Sequence, residues 1–198
     1  MRGIAIGRLL RSGTTGFVVG CRVNQLDAPS FGALVRVPLG SGYQVYGLIY
    51  DIHIEDDGLV RQLITAQDVP EEVIKDNREN RNVPVEIGVL TLGYQQDNEV
   101  FHLLPPRVPL SLDAIFLCTS DEIVRFTGAG RFGYFRHILR SSDKPVEELL
   151  AAHLMVGRSA HQETGNENWF EEAVQELITL MRDDYQQLIN VLSAVSDT

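Results

Sequence analysis

A phosphate-loop nucleotide site requires a lysine, and this chain has two lysines among its 198 residues. In the Walker A pattern the lysine follows a glycine and precedes serine or threonine, so that its ammonium reaches the β- and γ-phosphates. Lys75 follows Ile74, and Lys144 follows Asp143. Neither position fits the pattern, so the sequence predicts no nucleotide hydrolysis of this kind.

A glycine-rich stretch, Gly128–Gly133, matches the G-x-G-x-x-G pattern of dinucleotide-binding sites. Such a site needs a preceding parallel strand, a following helix and an acidic residue about 20 residues further on. Glu147 and Glu148 lie near that distance, but no second predicted strand separates them from the glycines. We therefore interpret the stretch as a structural turn and predict no cofactor.

Other catalytic and metal-binding patterns are incomplete. Gly157–His161 begins like the G-x-S-x-G nucleophile elbow, but His161 stands where glycine is required. The histidines show no metal-ligand spacing, and neither Cys21 nor Cys118 has a cysteine close in sequence. The sequence therefore predicts no catalytic residue, no metal site and no enzyme activity. The histidines are His53, His102, His137, His153 and His161.

One stretch combines positive charge with aromatic rings. From Ile123 to Ser142 there is no acidic residue, and arginines alternate with aromatic residues. Arginine makes bidentate contacts with phosphates and carboxylates, and aromatic faces stack on bases. Two interpretations stay open. The stretch can be a surface that contacts an anion or a nucleic acid. Alternatively, its arginines pair with the acidic tail or with residues 68–80 while its aromatic residues fill the core, and we favour this second interpretation. The residues are Arg125, Arg131, Arg136 and Arg140, with Phe126, Phe132, Tyr134 and Phe135.

The negative charge of the chain is concentrated in its last quarter. The net charge is −10; residues 143–198 carry 3 basic and 11 acidic side chains, whereas residues 1–142 carry 14 and 16. An acidic surface repels phosphates, so the tail is not expected to bind nucleic acid.

The composition also bears on location. The apolar fraction of 44% is enough for a core, yet no apolar run approaches the roughly 20 residues that span a bilayer, so we expect no membrane association. The first apolar stretch is cut short by Arg8, which predicts no signal peptide. Cys21 and Cys118 sit in apolar runs typical of buried free thiols, so we expect a cytoplasmic protein.

Short apolar runs separated by glycine, proline and asparagine predict a mainly β first part. Strands are expected near residues 3–10, 16–22, 32–38, 44–54, 84–94, 100–104 and 114–119, with a further short strand at 59–65. Residues 68–80 predict a short polar helix or loop, with Asp68 as its N-cap. Strands at this spacing, without a long intervening helix, favour a small closed antiparallel β-barrel followed by α-helices, an α+β protein.

The tail predicts two helices. The first is expected to run from Pro145 to about Val156 and to be followed by a polar link over 157–168. A long second helix is expected from Trp169, with apolar residues spaced alternately four and three apart. This seam favours a helical bundle, either with residues 145–156 or with another copy, so we expect a homo-oligomer. The seam residues are Val174, Ile178, Met181, Tyr185, Leu188, Leu192 and Val195.

Three segments of the β region resemble one known family. They are Ile4–Leu9, Gly42–Ile52, and Leu104–Pro109 leading into 114–119. Together they resemble the HAS barrel, the N-terminal domain of HerA-type DNA-translocating ATPases and a relative of the barrel that begins ATP-synthase catalytic subunits. The resemblance covers about residues 3–125 and implies a barrel suited to ring assembly or docking. No ATPase core follows, so that activity is not carried over.

We therefore expect residues 1–125 to form a HAS-barrel-like domain and residues 126–198 a glycine-rich loop with an acidic helical tail. The hypothesis for function is a non-catalytic interaction and assembly module, an adaptor of a DNA-processing or ring-ATPase complex whose protein partner the sequence does not name. The alternative is a nucleic-acid-binding protein that uses residues 123–142.

Overall fold

A computed structural model describes residues 3–22, 29–54, 58–66, 68–79 and 85–196. Seven strands occur in these ranges and pair antiparallel throughout. They are β1 (Ala5–Ser12), β2 (Gly16–Cys21), β3 (Leu34–Gly40), β4 (Tyr43–His53), β5 (Val85–Gln96), β6 (Glu99–Phe101) and β7 (Ala114–Leu117).

Six of these strands close into a barrel. Around the wall the order is β1, β2, β5, β4, β3 and β7, which returns to β1, while β6 forms a hairpin on β5. Closure gives each of the six wall strands a neighbour on both sides, which is how small β proteins avoid exposed edges. The predicted closed antiparallel barrel is therefore confirmed.

Residue type explains where the chain turns. Asp97 and Asn98 connect β5 to β6, and both have left-handed φ angles of 50° and 70°. Two consecutive left-handed residues make the type I′ turn that suits the twist of a hairpin, and aspartate and asparagine tolerate it. One cluster of aliphatic and aromatic side chains fills the barrel interior, among them Ile6, Leu9, Val45, Ile49 and Val89.

The strand predicted at residues 59–65 is wrong, because the chain there forms helix α1 (Gly58–Thr65). Apolar residues at 60, 63 and 64 follow a helical rather than an alternating pattern. Helix α2 (Glu71–Glu79) confirms the polar helix, but Asp68 is not its N-cap. Asp68 lies three residues before the helix and has a left-handed φ of 57°.

Five helices follow the barrel in the described residues. They are α3 (Ser120–Thr127), α4 (Phe135–Leu139), α5 (Val146–Glu163), α6 (Trp169–Leu180) and α7 (Tyr185–Ser196). None of the helices in the described ranges is long and apolar enough to cross a membrane. Their buried side chains form one cluster with the outer faces of three strands, through Leu34, Tyr46, Leu48, Leu90 and Leu92. The helices therefore cover the side of the barrel formed by β3, β4 and β5.

Helix α3 is attached to the barrel by its own cap. Thr119 Oγ1 accepts from the amide of Glu122, and the Glu122 carboxylate accepts from the amide of Thr119, which completes a capping box. The other oxygen of Glu122 lies 2.6 Å from Nε of Arg36 on β3. One half-buried carboxylate thus joins the start of the helical part to the barrel wall.

The polar link predicted at residues 157–168 is wrong in its first half. Helix α5 continues to Glu163. Gly157 and Ala160 are buried, so they belong to the packed face of the helix and not to an exposed link. The ring of Trp169 lies directly on Gly157, where a Cβ atom would come within 2.3 Å of it. Glycine at this position is a packing requirement of the tryptophan and does not end the helix.

The single long helix predicted from Trp169 is also wrong. Residues 181–184 interrupt it, and Asp184 accepts from the amide of Gln187 through its side chain. Aspartate at this position is a strong helix N-cap, so it starts α7 as a separate helix. Helix α7 then packs back against α5.

We expect Gly157→Ala to destabilise the protein, although alanine is the better helix former. The methyl group must displace the Trp169 ring, and such overpacking costs about 1–3 kcal/mol. Equilibrium urea denaturation measures the free energy of unfolding. Gly58→Ala is the matched control, because Gly58 is helical and has open space around it; it should leave stability unchanged or raise it. Equal stabilisation by both changes would contradict the packing described here.

Candidate functional site

The four arginines of the basic stretch differ in exposure and do not form a single charged surface. Arg125, Arg131 and Arg140 are exposed, whereas Arg136 is half-buried and donates from Nη2 to the carbonyl oxygen of His102. None of the four forms an ion pair with a carboxylate among the described residues. The expected pairing with the acidic tail is therefore not seen in the part of the chain that the structure describes.

The aromatic residues of the same stretch lie inside. Phe126, Tyr134 and Phe135 are fully buried. Phe132 is half-buried and packs on Phe135 and on Trp169, at ring-centroid distances of 5.4 and 5.8 Å. The interpretation of these aromatics as core residues is confirmed, and they are not available as a platform on which bases could stack.

The glycine-rich stretch is a turn, as expected, but it lies between two helices that were not predicted from the sequence. Helix α3 precedes it and α4 follows it, so it does not connect a strand to a helix. Gly130, Arg131 and Phe132 are left-handed in succession, with φ angles of 55°, 46° and 57°. The first of these positions needs glycine, because a Cβ atom there would lie 2.8 Å from Nδ1 of His102.

Two buried histidines flank the Tyr134 ring. His102 and His153 meet it edge-on, at centroid distances of 5.0 and 5.5 Å. Nδ1 of His153 lies 3.4 Å from the carbonyl oxygen of Gly32, so this nitrogen carries the proton and donates. Nε2 then accepts from the hydroxyl of Tyr134 at 3.2 Å. Burial lowers the pKa of His153 to about 4 and raises the pKa of Tyr134, so both stay neutral.

A third buried histidine stacks on the tryptophan. The rings of His161 and Trp169 are 4.5 Å apart and nearly parallel. Nε2 of His161 lies 2.8 Å from the hydroxyl of Thr127, which itself donates to the carbonyl of Ile123. Nδ1 of His161 is buried and has no hydrogen-bond partner among the residues that the structure describes, and burial lowers the pKa of this imidazole. In the described ranges no three histidine, cysteine or acidic side chains are grouped as metal ligands would be.

An open groove of about 320 Å³ lies on the outside of β2 and β5. Lys144 reaches its edge and holds its ammonium 4.5 Å from the centre of the Tyr50 ring. Its charge is balanced by Asp143 at 2.8 Å, and Arg11 on the other side is paired with Glu86 at 2.9 Å. Because both cations have carboxylate partners, the groove offers little attraction to an anion.

The side of the barrel opposite the helices has a different character. In a six-stranded wall β1 lies three strands from β4 in either direction, and β4 lies at the centre of the helix-covered side. Leu10, Leu110 and Leu112 are exposed here, the last two at 69% each. With Arg8 they form a surface that we name the β1 face.

Hydrogen bonds hold the segment 109–113 against β1. The amide of Leu112 donates to Leu9 O at 2.8 Å, and the hydroxyl of Ser111 donates to Leu10 O at 3.1 Å. The guanidinium of Arg8 donates to Leu112 O at 2.8 Å. The three leucines are therefore presented by a fixed backbone, and the charge of Arg8 has no carboxylate partner among the described residues.

The residues of the predicted helical seam lie on two helices or at the break between them, and some of them are buried whereas others are on the surface. Met181 and Leu188 are buried, and Ile178, Leu192 and Val195 pack partly against the same core, while Val174 is half-buried. Tyr185 is 72% exposed. Leu177 and Val191, which widen the apolar face beside the seam, are fully buried, and so is Ala173, which was not predicted from the sequence. The cap signal of Asp184 could have revealed that the two helices have independent faces.

We expect the buried histidines to make the protein less stable as the pH falls from 7.5 to 5. The unfolded chain protonates His153 near pH 6.5, whereas the folded protein resists protonation down to about pH 4. Stability is therefore highest above 6.5 and declines below it, by about 2 kcal/mol at pH 5 for this group alone.

Urea denaturation at the two pH values measures this loss. His153→Gln should reduce the pH dependence, since one of the buried titrating groups is gone. The control His53→Gln changes an exposed histidine and should leave the dependence as it is. An unchanged slope in the His153 variant would contradict the assignment.

Known proteins do not place the chain in a family: no family model matches it, and no curated protein matches it. The HAS-barrel resemblance therefore stays a prediction that rests on the three sequence segments named above. The barrel itself does not depend on that resemblance, because the strand pairings establish it.

Proposed function

We propose that this protein is a non-catalytic interaction module that associates with other protein chains through the β1 face of its barrel. One observation carries the proposal. Leu112 is 69% exposed and also has a left-handed φ of 74°. For a residue other than glycine this conformation costs about 1–2 kcal/mol.

The backbone of Leu112 gains hydrogen bonds to Leu9 and Arg8 in this conformation, but its exposed side chain gains no burial in return for the strain. An exposed leucine contributes little to the core, and glycine or asparagine would satisfy the same turn without strain. Leu110 is equally exposed two residues earlier, and Leu10 lies beside them on β1. Adjacent exposed leucines on a fixed backbone are typical of a surface that is covered by a partner.

The interior supports a role without catalysis. His102, His153 and His161 are buried, and each uses a ring nitrogen in a hydrogen bond within the chain. The groove at Lys144 has its cations neutralised. Neither lysine of the chain stands in a Walker A loop. These features favour binding over turnover.

The resemblance to the HAS barrel supports a more specific role. A barrel resembling the one that begins ring-forming ATPases, here followed by helices α3 to α7, suits an adaptor of a DNA-processing or ring-ATPase complex that itself forms homo-oligomers. We place the protein in the cytoplasm, where its two free cysteines, Cys21 and Cys118, would stay reduced.

We expect Leu110→Ser combined with Leu112→Gly to weaken self-association at least tenfold without loss of stability. Removing the leucines removes apolar contact area, and glycine at 112 relieves the left-handed strain. Sedimentation velocity over a concentration series measures association, and thermal unfolding measures stability. Ile64→Ser is the matched control, because Ile64 is 77% exposed on α1; it should change neither.

A wild-type protein that stays monomeric at high concentration would contradict self-association through this face. ATP or GTP turnover that is lost on a point mutation would contradict the non-catalytic role.

A further inference from the structure

We propose that acid separates helices α3 to α7, which we name the helical layer, from the barrel before the barrel itself unfolds. The basis is the position of the histidines that are buried in the described residues. His102, His153 and His161 each join one element of the layer to another element of the layer or to the barrel. The inference does not depend on the β1 face, since it concerns the opposite side of the barrel.

His102 follows β6 and connects the barrel with two helices. Its Nε2 lies 2.9 Å from the carbonyl oxygen of Phe126 in α3, so this nitrogen carries the proton and donates. The carbonyl oxygen of His102 accepts from Arg136 and from Nε2 of His137, both in α4. Its other ring nitrogen, Nδ1, is buried and has no hydrogen-bond partner among the described residues. A proton added to Nδ1 therefore finds no acceptor.

His153 connects α5 with the barrel. Its Nδ1 donates to the carbonyl oxygen of Gly32, which lies just before β3, and its Nε2 accepts from the hydroxyl of Tyr134. A second proton on this imidazole would occupy Nε2 and displace the proton of Tyr134. That hydroxyl makes no other hydrogen bond within the described ranges, and both side chains are fully buried. Protonation of His153 thus breaks a contact that holds α5 to the barrel.

His161 joins three helices of the layer. Thr127 in α3 uses its one hydroxyl proton on the carbonyl oxygen of Ile123, so Thr127 Oγ1 accepts from Nε2 of His161. The nitrogen left to take up a proton is Nδ1, which is buried without a partner in the part of the chain that the structure describes. The ring also stacks on Trp169 of α6. A charge on His161 therefore disturbs the contacts of α5 with both α3 and α6.

The groups around the two histidines at the barrel do not offset a positive charge. Neither His102 nor His153 forms an ion pair with a carboxylate among the described residues. Tyr134 faces both imidazoles and is neutral. Arg136 and His137 face His102 from α4, and their charges oppose its protonation.

The charged residues near His161 are directed elsewhere. Arg158 and Glu163 lie on the same helix and are exposed. The guanidinium of Arg158 lies over the ring of Phe170, and the carboxylate of Glu163 accepts from the hydroxyl of Ser120. His161 itself has no carboxylate partner in the described ranges.

The interior of the barrel differs in this respect. Its described side chains are aliphatic or aromatic except for Cys21, and neither histidine nor an acidic residue is among them. Burial raises the pKa of the Cys21 thiol and the pKa of the Tyr43 hydroxyl, so both stay neutral in acid. Between pH 7 and pH 4 protonation therefore acts on the helical layer and its contacts with the barrel, and not on the barrel interior.

The direction of the pH effect follows from the two states of the imidazoles. Burial lowers the pKa of all three histidines, that of His153 to about 4. In a separated layer they are in water and take up protons near pH 6.5, which is about the ordinary pKa of histidine. Attachment of the layer is therefore favoured above pH 6.5 and is weakened progressively as the pH falls to 4. At neutral pH the outer apolar faces of β3, β4 and β5 keep the layer in place.

Urea denaturation of the full-length protein at pH 7.5 and pH 5, followed by two probes, tests the inference. Trp169 is the only tryptophan and lies in the layer, so its fluorescence follows the layer. Hydrogen exchange of the β2 and β5 amides, measured by mass spectrometry, follows the barrel. At pH 5 the Trp169 midpoint should lie about 1 M urea below that of the strands. The dye ANS should bind between the two midpoints, because the outer faces of the strands are then uncovered.

At pH 7.5 the two midpoints should lie closer together than at pH 5. The double variant His153→Gln with His161→Gln should reduce the separation at pH 5 by at least half, since glutamine can donate a hydrogen bond but does not titrate. The control His53→Gln alters an exposed histidine and should leave both midpoints where they are in the wild type.

Two results would overturn the inference. The first is coincident loss of Trp169 fluorescence and strand protection in the wild type at pH 5, which would mean that layer and barrel unfold together. The second is a separation of midpoints that the double variant leaves unchanged, which would assign it to other groups. If the double variant does not fold, the comparison of the two probes in the wild type still decides between separation and joint unfolding.

Discussion

The barrel has a side whose strands are apolar on both faces, and the rest of the molecule is arranged around it. In β4, Val45 and Ile49 point into the barrel while Tyr46 and Leu48 point out, and all four are fully buried. In β5, Val89 points in while Leu90 and Leu92 point out. A strand that is apolar on both faces must be covered on both. Closure of the barrel covers the inner face, and the C-terminal helices cover the outer one.

The helical layer is held to the barrel by a few close contacts. The carboxylate of Glu122 links the start of α3 to Arg36 on β3. A Cβ atom on Gly32 would lie 2.5 Å from the side chain of Ala152, so glycine there lets α5 approach the end of the barrel. The neighbouring His153 bonds to the carbonyl of Gly32. The buried histidines and tyrosine thus serve packing and hydrogen bonding, and their pKa values shift away from charge because burial disfavours the charged forms.

The features that bear on function therefore lie on the surface. The helices cover the side around β4 and leave β1 exposed, and the segment 109–113 lays two leucines beside it. One of those leucines adopts a backbone conformation that favours glycine. The same arrangement places the acidic helices on the other side of the molecule.

The sequence by itself determined the closed antiparallel barrel and the helical tail, because the strand and turn signals are local. Alternating apolar residues, glycine, and the Asp97–Asn98 pair act within a few residues of themselves, so the strands of β1 to β5 lie close to their predicted positions. The absence of a Walker A lysine is likewise readable from neighbours in the chain.

The tertiary structure determined the features that depend on contacts between residues far apart in the sequence. By sequence alone Gly157 suggests a link, but in the fold it is the position on which the Trp169 ring packs. The helical seam is continuous in sequence, but Asp184 caps a new helix within it. The basic-aromatic stretch looks like a binding surface until its aromatics are found in the core and Arg136 is found bonded to His102. The β1 face was not predicted, because no local pattern says which side of a closed barrel the helices will leave uncovered. Burial is a property of the whole fold, and that is the physical reason why the candidate site appeared only with the structure.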